Sequence, residues 1–325
     1  MRRLSATALA VALVVAAAHA AAADDYPNRP VTIVAPAAPG GLYSLFARLI
    51  GAKLEQRLGK PFVVENRPGA SSIVGVQSVL RAPHDGYTLM VANNTGMAVN
   101  VSLVKSLPYD PAKDLVPVAL IATIPEVLVV NAALPVQSVP GLAELARKTP
   151  GGLSYGSPGA GTGPHLSGVL LGSTLDAPFT HVPYKGTSPA INDLAGGHIA
   201  FMFSPIPTAA PLAEAGRVRM LAVNNRERLE VIAQVPTLAE VGVKAFEAVS
   251  WFMLVAAAGT PPEIVDRLYR EANAIIGDAE VRAEFARLGL VAVRSPPPAE
   301  LKGFIAAEIA SWSEIVKKAG LVGAE

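Results

Sequence analysis

Val31-Thr-Ile-Val-Ala35, Pro36-Ala-Ala-Pro-Gly-Gly41 and the run from Leu42 to Leu58 read, in that order, as a strand, a glycine turn and a helix. Leu42, Leu45, Phe46 and Leu49 form an apolar stripe that Ile50 and Leu54 continue, and Gly59 stops the helix. The pattern then recurs. Phe62 to Glu65 is a strand, Arg67-Pro-Gly69 a turn, and Ile73, Val76 and Val79 mark a helix before the strand Tyr87 to Val91. Strands and helices alternating at this length call for parallel sheets in an α/β fold.

Working outward, Val116 to Ala122 and Val127 to Val130 are two extended apolar runs broken only by Pro125-Glu126, which suits a crossing between lobes. A second α/β series follows: a helix near Val139 to Lys148, the strand Leu153 to Tyr155, the loop Gly156 to Pro164 and a helix near His165 to Leu175. The strand Phe179 to Val182, the helix Pro189 to Ala195 and the strands Ile199 to Phe203 and Met220 to Val223 complete it. Val249 to Ala257 is the return crossing, and Thr260-Pro-Pro-Glu263 reads as a capping box that opens a helix through Ile264, Leu268 and Ile275. Glu280 to Leu288 and Pro298 to Ala319 are further helices. The expected organisation is one discontinuous lobe from residues 24–125 and 248–325, with residues 126–247 inserted as the other.

The chain opens Met1-Arg2-Arg3, runs apolar from Leu4 to Ala18 and reaches small residues up to Ala23, a secretory signal peptide over residues 1–23. Its apolar stretch is shorter than the roughly 20 residues a membrane span needs, and no later segment is long and apolar enough to be one. Removing Arg2 and Arg3 from the 27 basic residues leaves 25 against 26 acidic ones, so the exported chain is nearly neutral. That balance argues against nucleic acid or a membrane surface as partner. With 0 Cys, neither a disulfide framework nor a thiolate metal site is available, and the core alone must stabilise an exported protein.

Two glycine loops carry the chemistry. Pro36 to Gly41 and Ser157-Pro-Gly-Ala-Gly-Thr-Gly163 each follow a strand and precede a helix, so each can aim backbone N–H groups and a positive helix end at one anion. Either loop alone serves equally well as a tight turn; one in each lobe favours a ligand held between them. Gly159, Gly161 and Gly163 do not make a dinucleotide fingerprint, because its third glycine falls at Pro164. Gly152-Leu-Ser154-Tyr-Gly156 matches the nucleophile elbow in letters only, since Ser154 lies inside a strand. The histidines of the exported chain show no metal spacing; His165 stands out because it opens the helix after the second loop. Asn93-Asn94-Thr95 supplies uncharged donors at the same sheet edge, and Tyr184-Lys185-Gly186 a possible cation or a solvated turn. No nucleophile with an adjacent base can be assembled from the strand ends, which favours binding over catalysis.

Several stretches together resemble the Bug or TctC type of substrate receptor of tripartite tricarboxylate transporters. They are Pro30-Val-Thr-Ile-Val, Pro39-Gly-Gly, Val64-Glu-Asn-Arg-Pro-Gly69, Asp85-Gly-Tyr-Thr-Leu89, Leu107-Pro-Tyr-Asp-Pro111, Gly161-Thr-Gly-Pro-His165, His181-Val-Pro-Tyr-Lys-Gly186 and Gly259-Thr-Pro-Pro262, in the family's order. The resemblance implies a two-lobed periplasmic binding protein fold, type II-like, with two parallel-rich sheets joined by two crossing strands. It also implies a small carboxylate ligand, no cofactor, delivery to inner-membrane permease subunits, and a monomer. Carried over by position, the contacts are Ala38, Gly40, Gly41 and Tyr43, Asn94, and Ser157, Gly161, Thr162 and His165, with Lys185 a weaker one. Ser44 and Ser204 stand where the family usually carries Asp, and losing two carboxylates favours an anion without an amino group. Leu42 and Tyr43 make the first loop bulkier and more apolar, which suits an aromatic acid or simply packs into the first lobe. A periplasmic ligand sensor with the same pocket, and a serine hydrolase using Ser154, are the alternatives.

Overall fold

The structure, a computed structural model, describes residues 26–243 and 249–324. The signal-peptide reading and the lobe boundary at residues 247–248 therefore lie wholly or partly outside the described residues.

The first sheet contains β1 (Val31–Ala35), β2 (Phe62–Asn66), β3 (Thr88–Asn93), β4 (Leu115–Ile124), β10 (Ser250–Ala257) and β11 (Val291–Ala292), in the order β11-β4-β10-β3-β1-β2. The second contains β5 (Glu126–Asn131), β6 (Leu153–Ser157), β7 (Phe179–Pro183), β8 (Phe201–Pro205) and β9 (Val218–Val223), in the order β7-β6-β8-β5-β9. β1 runs parallel to β2 and β3, and β6 runs parallel to β7 and β8. Each sheet also holds one interior antiparallel strand: β10 between β3 and β4, and β5 between β8 and β9. These are the two strands by which the chain enters a sheet from its neighbour, so they arrive from the opposite end.

Both sheets are covered on both faces, which is why their strands read as continuous apolar runs rather than alternating ones. In the first lobe, α1 (Leu42–Leu58), α9 (Pro262–Gly277) and α10 (Ala279–Arg287) pack Phe46, Ile50, Leu268 and Phe285 against Ile33, Leu89, Phe252 and Leu254. On the opposite face, α2 (Ile73–Leu80) and α11 (Pro298–Lys318) place Val76, Val79, Leu301 and Ile305 against Val34, Met90, Trp251 and Met253. The second lobe repeats this with α5 (Val139–Lys148) and α6 (Gly163–Leu175) on one face, and α7 (Thr187–Gly196) and α8 (Ile206–Glu214) on the other. Two single turns, α3 (Asn100–Leu103) and α4 (Pro111–Asp114), link β3 to β4. No described helix is long and apolar enough to cross a membrane.

The C-terminal helix joins the lobes. Its second half brings Trp312, Ile315 and Val316 together with Val99 and Leu103 of the first lobe and with Leu166 of α6 in the second.

Two sequence expectations give way. Thr260 does not cap α9: its hydroxyl donates to the Ala257 carbonyl at 2.8 Å, and the helix begins at Pro262 without a side-chain cap. Pro261 and Pro262 have no N–H to offer a cap, and they set the start beyond its reach. The sequence reading passes over α8, whose prolines do not prevent a helix: Pro207 falls in the first turn, where its missing N–H costs nothing.

Gly168 on α6 lies against the face of Tyr155: a Cβ there would sit 2.1 Å from Cε2 of that fully buried ring. The G168A variant is expected to lose about 1–3 kcal/mol by overpacking, read as a lowered denaturant midpoint. An unchanged midpoint would show that the second lobe is less tightly packed than this.

Candidate functional site

The parallel strands of both sheets end at the same place. β1, β2 and β3 run out into Pro36, Pro68 and Thr95, β6 into Pro158 and β8 at Pro205, and all five residues line one cleft between the lobes with a volume of about 440 Å³. The crossings form its floor, through Ile124 and Glu126 on one side and Ser250 and Phe252 on the other. Ligands of open α/β sheets bind at this end of the strands. Leu42, Tyr43, Leu103, Ile124 and Phe252 make much of the wall apolar, and no Lys, Arg, His or Asp lies among the described lining residues.

Hydrogen-bond donors must then be uncharged side chains, among them Tyr43, Ser72, Asn93, Thr95 and Ser250, and the backbone. Five helices begin at the cleft: α1, α2, α6, α7 and α8, whose first turns or caps contribute Leu42, Ser72, Gly163, Thr187 and Pro205 to the lining. None of the five has a side-chain cap. The described helices that are capped by a side chain, α4 by Asp110, α5 by Ser138 and α10 by Asp278, start elsewhere. An anion in the cleft would meet several positive helix ends at once, each contributing about 0.3–2 kcal/mol.

The turn before α2 is strained. Ala70, Ser71 and Ser72 take φ of 43°, 49° and 78°, consecutive left-handed positions without a glycine, after Gly69 at 138°. Each non-glycine residue there costs about 1–2 kcal/mol, and such strain gathers at ligand sites. Two contacts hold the turn: Asn100 Nδ2 donates to the Ser71 carbonyl at 2.8 Å, and the Ser72 and Tyr43 hydroxyls share a hydrogen bond of 3.1 Å. Tyr43 also stands edge-on to Phe252, with ring centroids 4.8 Å apart. Tyr43 therefore lines the cleft and packs into the first lobe together, as does Leu42. Burial raises the Tyr43 hydroxyl well above the usual tyrosine range, so it stays neutral.

The second loop rests on a histidine pair. The Gly161 N–H donates to His165 Nδ1 at 3.0 Å, which fixes that ring as the neutral Nε2–H tautomer. His165 stacks on His181 with centroids 3.7 Å apart. Ser157 Oγ donates to the Gly159 carbonyl at 2.8 Å and lies 2.6 Å from His181 Nε2, and Thr162 Oγ1 donates to the same carbonyl at 2.7 Å. Burial, helped by His181, lowers His165 to about 4, and burial alone lowers His181 to about 4. Gly161 faces the other lobe so closely that a Cβ would sit 2.4 Å from Leu103 Cδ2.

Of the residues singled out from the sequence, Tyr43, Gly161 and Thr162 line the cleft directly. Ala38, Gly40 and Gly41 are exposed; Gly40, Gly41 and Ser44 border a separate recess with Arg48 and Glu284. Ser44 is buried and accepts a hydrogen bond from Asn66 Nδ2 at 2.7 Å. Ser157 and His165 lie behind the second loop, and Lys185 is exposed beyond β7. Ser204 is buried with its hydroxyl on the Pro205 carbonyl at 3.2 Å. Asn94 is buried between the lining residues Asn93 and Thr95, and both polar atoms of its side chain lack a partner among the described residues. Ser154 pairs with Thr180 inside β6, away from any strand-to-helix turn. The described residues contain no cluster of three or more side chains able to hold a metal ion.

Glu126 escapes the sequence reading, which treats it with Pro125 as a break between two apolar runs. It is the first residue of β5, lines the cleft and is 3% exposed. Burial alone raises its carboxyl to about 8. A charge placed between two fully buried strands was the available signal.

The family described as tripartite tricarboxylate transporter family receptor matches residues 46–321. BugT of Bordetella pertussis is 35% identical over 299 residues, covering 92% of this chain and 91% of that one. The structure of Rpa4515 of R. palustris with adipate is 37% identical, with a TM-score of 0.81 over 92% of this chain and 99% of that one. MatC of Rhodopseudomonas palustris with bound malate is 32% identical, with a TM-score of 0.76 over 90% of this chain and 100% of that one.

The histidine pair makes stability pH-dependent. Its folded pKa values lie below the ordinary 6.5, so between about pH 6.5 and 4 the unfolded chain binds more protons and stability falls as pH falls. Denaturant midpoints at pH 7, 5.5 and 4.5 should therefore decline more steeply for the wild type than for H181N. Parallel declines would mean that the pair is not held neutral.

Proposed function

Because the chain belongs to the receptor family of tripartite tricarboxylate transporters, we propose that it is a periplasmic receptor that captures a small carboxylate and passes it to inner-membrane permease subunits. It is a binding protein and not an enzyme, in keeping with its family. The observation that carries the reading is the convergence of five uncapped helix starts on a cleft with apolar walls. Backbone dipoles suit a carboxylate, and Leu42, Tyr43 and Phe252 suit the hydrocarbon of an aliphatic or aromatic acid. The adipate and malate held by two relatives belong to the same chemical class.

In this reading the carboxylate sits between the first loop with its neighbouring strained turn and the second loop. Tyr43, Gly161 and Thr162 form its walls, and Asn94 serves it through water. Ala38, Gly40 and Gly41 close over the mouth with Lys185, while Ser44, Ser157, His165 and Ser204 hold the loops and strand ends in place. Residues 24–125 with 248–325 move as one body against residues 126–247, as a monomer, about the two crossings. The ligand in this reading carries no ammonium, since Glu126, the one carboxyl among the described lining residues, is kept mostly protonated at neutral pH by burial.

A calorimetric and thermal-shift panel of succinate, adipate, malate and benzoate against aspartate and glutamate tests this. A ligand bound at micromolar affinity and supplied at millimolar concentration should stabilise the protein by about 4 kcal/mol. Stabilisation by the amino acids alone, or by none of the panel, would overturn the reading. The bound acid should also reduce the radius of gyration in solution scattering; an unchanged radius would count against lobe closure.

A further inference from the structure

The backbone of Glu126 is pinned from both sides. Its N–H donates to Asn224 Oδ1 at 2.6 Å, and its carbonyl accepts from the Asn224 N–H at 2.9 Å. With the main chain fixed, the side chain lines the cleft beside the start of α6: a Cβ on Gly163 would lie 3.8 Å from Glu126 Oε1 and 2.6 Å from Ser250 Oγ. Glu126 Oε2 is buried and has no hydrogen-bond partner among the described residues. The neighbours that the surrounding elements present are uncharged: Ile124 of β4, Pro205 opposite it on β8, Ser250 of β10, Gly163 of α6 and Asn224 after β9. The nearest ionisable groups along those elements are His165, which burial keeps neutral above about pH 4, and Arg226, which lines a different recess together with Glu308. A carboxylate desolvated in this way and given no cation takes up a proton, and burial places that transition at about 8. The resulting acid has an O–H to donate, and its Oε2 finds no protein partner.

We propose that Glu126 donates its carboxyl O–H to a carboxylate of the bound ligand and thereby selects anions that lack an ammonium group. This rests on the carboxylate reading above. An O–H···O⁻ bond of this kind is short and charge-assisted, and it disappears when the acid ionises, leaving two like charges in contact. Below the transition the ligand binds the protonated receptor with no proton exchanged; above it, each ligand bound draws one proton from solvent onto Glu126. A ligand with an ammonium would do the reverse, expelling the proton and binding more tightly as pH rises.

Isothermal titration of the wild type and of E126Q with succinate, adipate, malate and benzoate, at pH 6, 7.5 and 9 in two buffers of different ionisation enthalpy, tests this. For the acids that bind, wild-type Kd should rise toward about tenfold per pH unit above the transition, with proton uptake approaching one per ligand at pH 9. E126Q offers a neutral amide donor, so it should bind about three- to tenfold more weakly at pH 6 and show no pH dependence up to 9. Matching pH profiles in the two proteins would overturn the inference while leaving the receptor reading intact. So would preferential binding of glutamate or aspartate that tightens with pH. If no acid binds, the receptor reading itself fails and this inference falls with it. Isotope-edited infrared difference spectra of the wild type supply a readout that needs no variant: the protonated carboxyl band must be present at pH 7 and shift when the acid binds, and its absence would overturn the assignment.

Discussion

One residue separates the two sheets. β4 ends at Ile124, β5 begins at Glu126, and Pro125 is all that lies between them. The two steps from Ile124 to Glu126 span at most about 7 Å, so the carboxyl ends of the first sheet and the facing edge of the second are held against each other. The other features of the cleft follow from that tether. Strand ends that would otherwise open into solvent face a second set, the helix starts of both lobes point into one volume, and an ionisable side chain comes to lie where water is largely excluded. The return passage, by contrast, takes the longer route from Asn224 to Ser250, so the short link is the one that sets the distance.

The cleft is built for charge without using charge. Recognition of an anion by arginine or lysine would require two long side chains to be ordered on binding; backbone N–H groups at helix starts are ordered already, and apolar walls strengthen them by lowering the local dielectric. The strained turn at Ala70 to Ser72 and the uncapped helices are costs that the fold carries in the absence of ligand. Side chains outside the cleft bear part of that load: Asn100 and Tyr43 hold the turn, and His165 occupies the Gly161 N–H.

The alternation of strands and helices was legible because both sheets are sandwiched, so each buried strand is a plain apolar run and each helix a stripe. Both glycine loops and both crossings were legible for the same reason. Proline displaced the start of α9 beyond the reach of Thr260, and α8 was passed over altogether. The site was less legible than the fold. Nothing in Ala70-Ser71-Ser72 announces left-handed backbone, since that conformation is imposed by Asn100, 29 residues from Ser71, and by Tyr43. The ladder sets His181 opposite Tyr155, and its stacking on His165 follows from how α6 packs back on the sheet, while the role of Glu126 depends on what surrounds it in space.

The seam where Trp312, Ile315 and Val316 meet Leu103 and Leu166 joins the same two lobes and touches the cleft only at Leu103. Any rotation that opened the cleft by separating α6 from α11 would expose that apolar surface, so the seam opposes opening whether or not a ligand is bound. Binding affinity in such a receptor is the product of what the cleft offers and how often the lobes are poised to offer it. Substitutions at Trp312, Ile315 or Val316, which do not line the cleft, can therefore change affinity without touching a bound ligand. The balance between the open and closed arrangements is in this way set at a distance from the pocket.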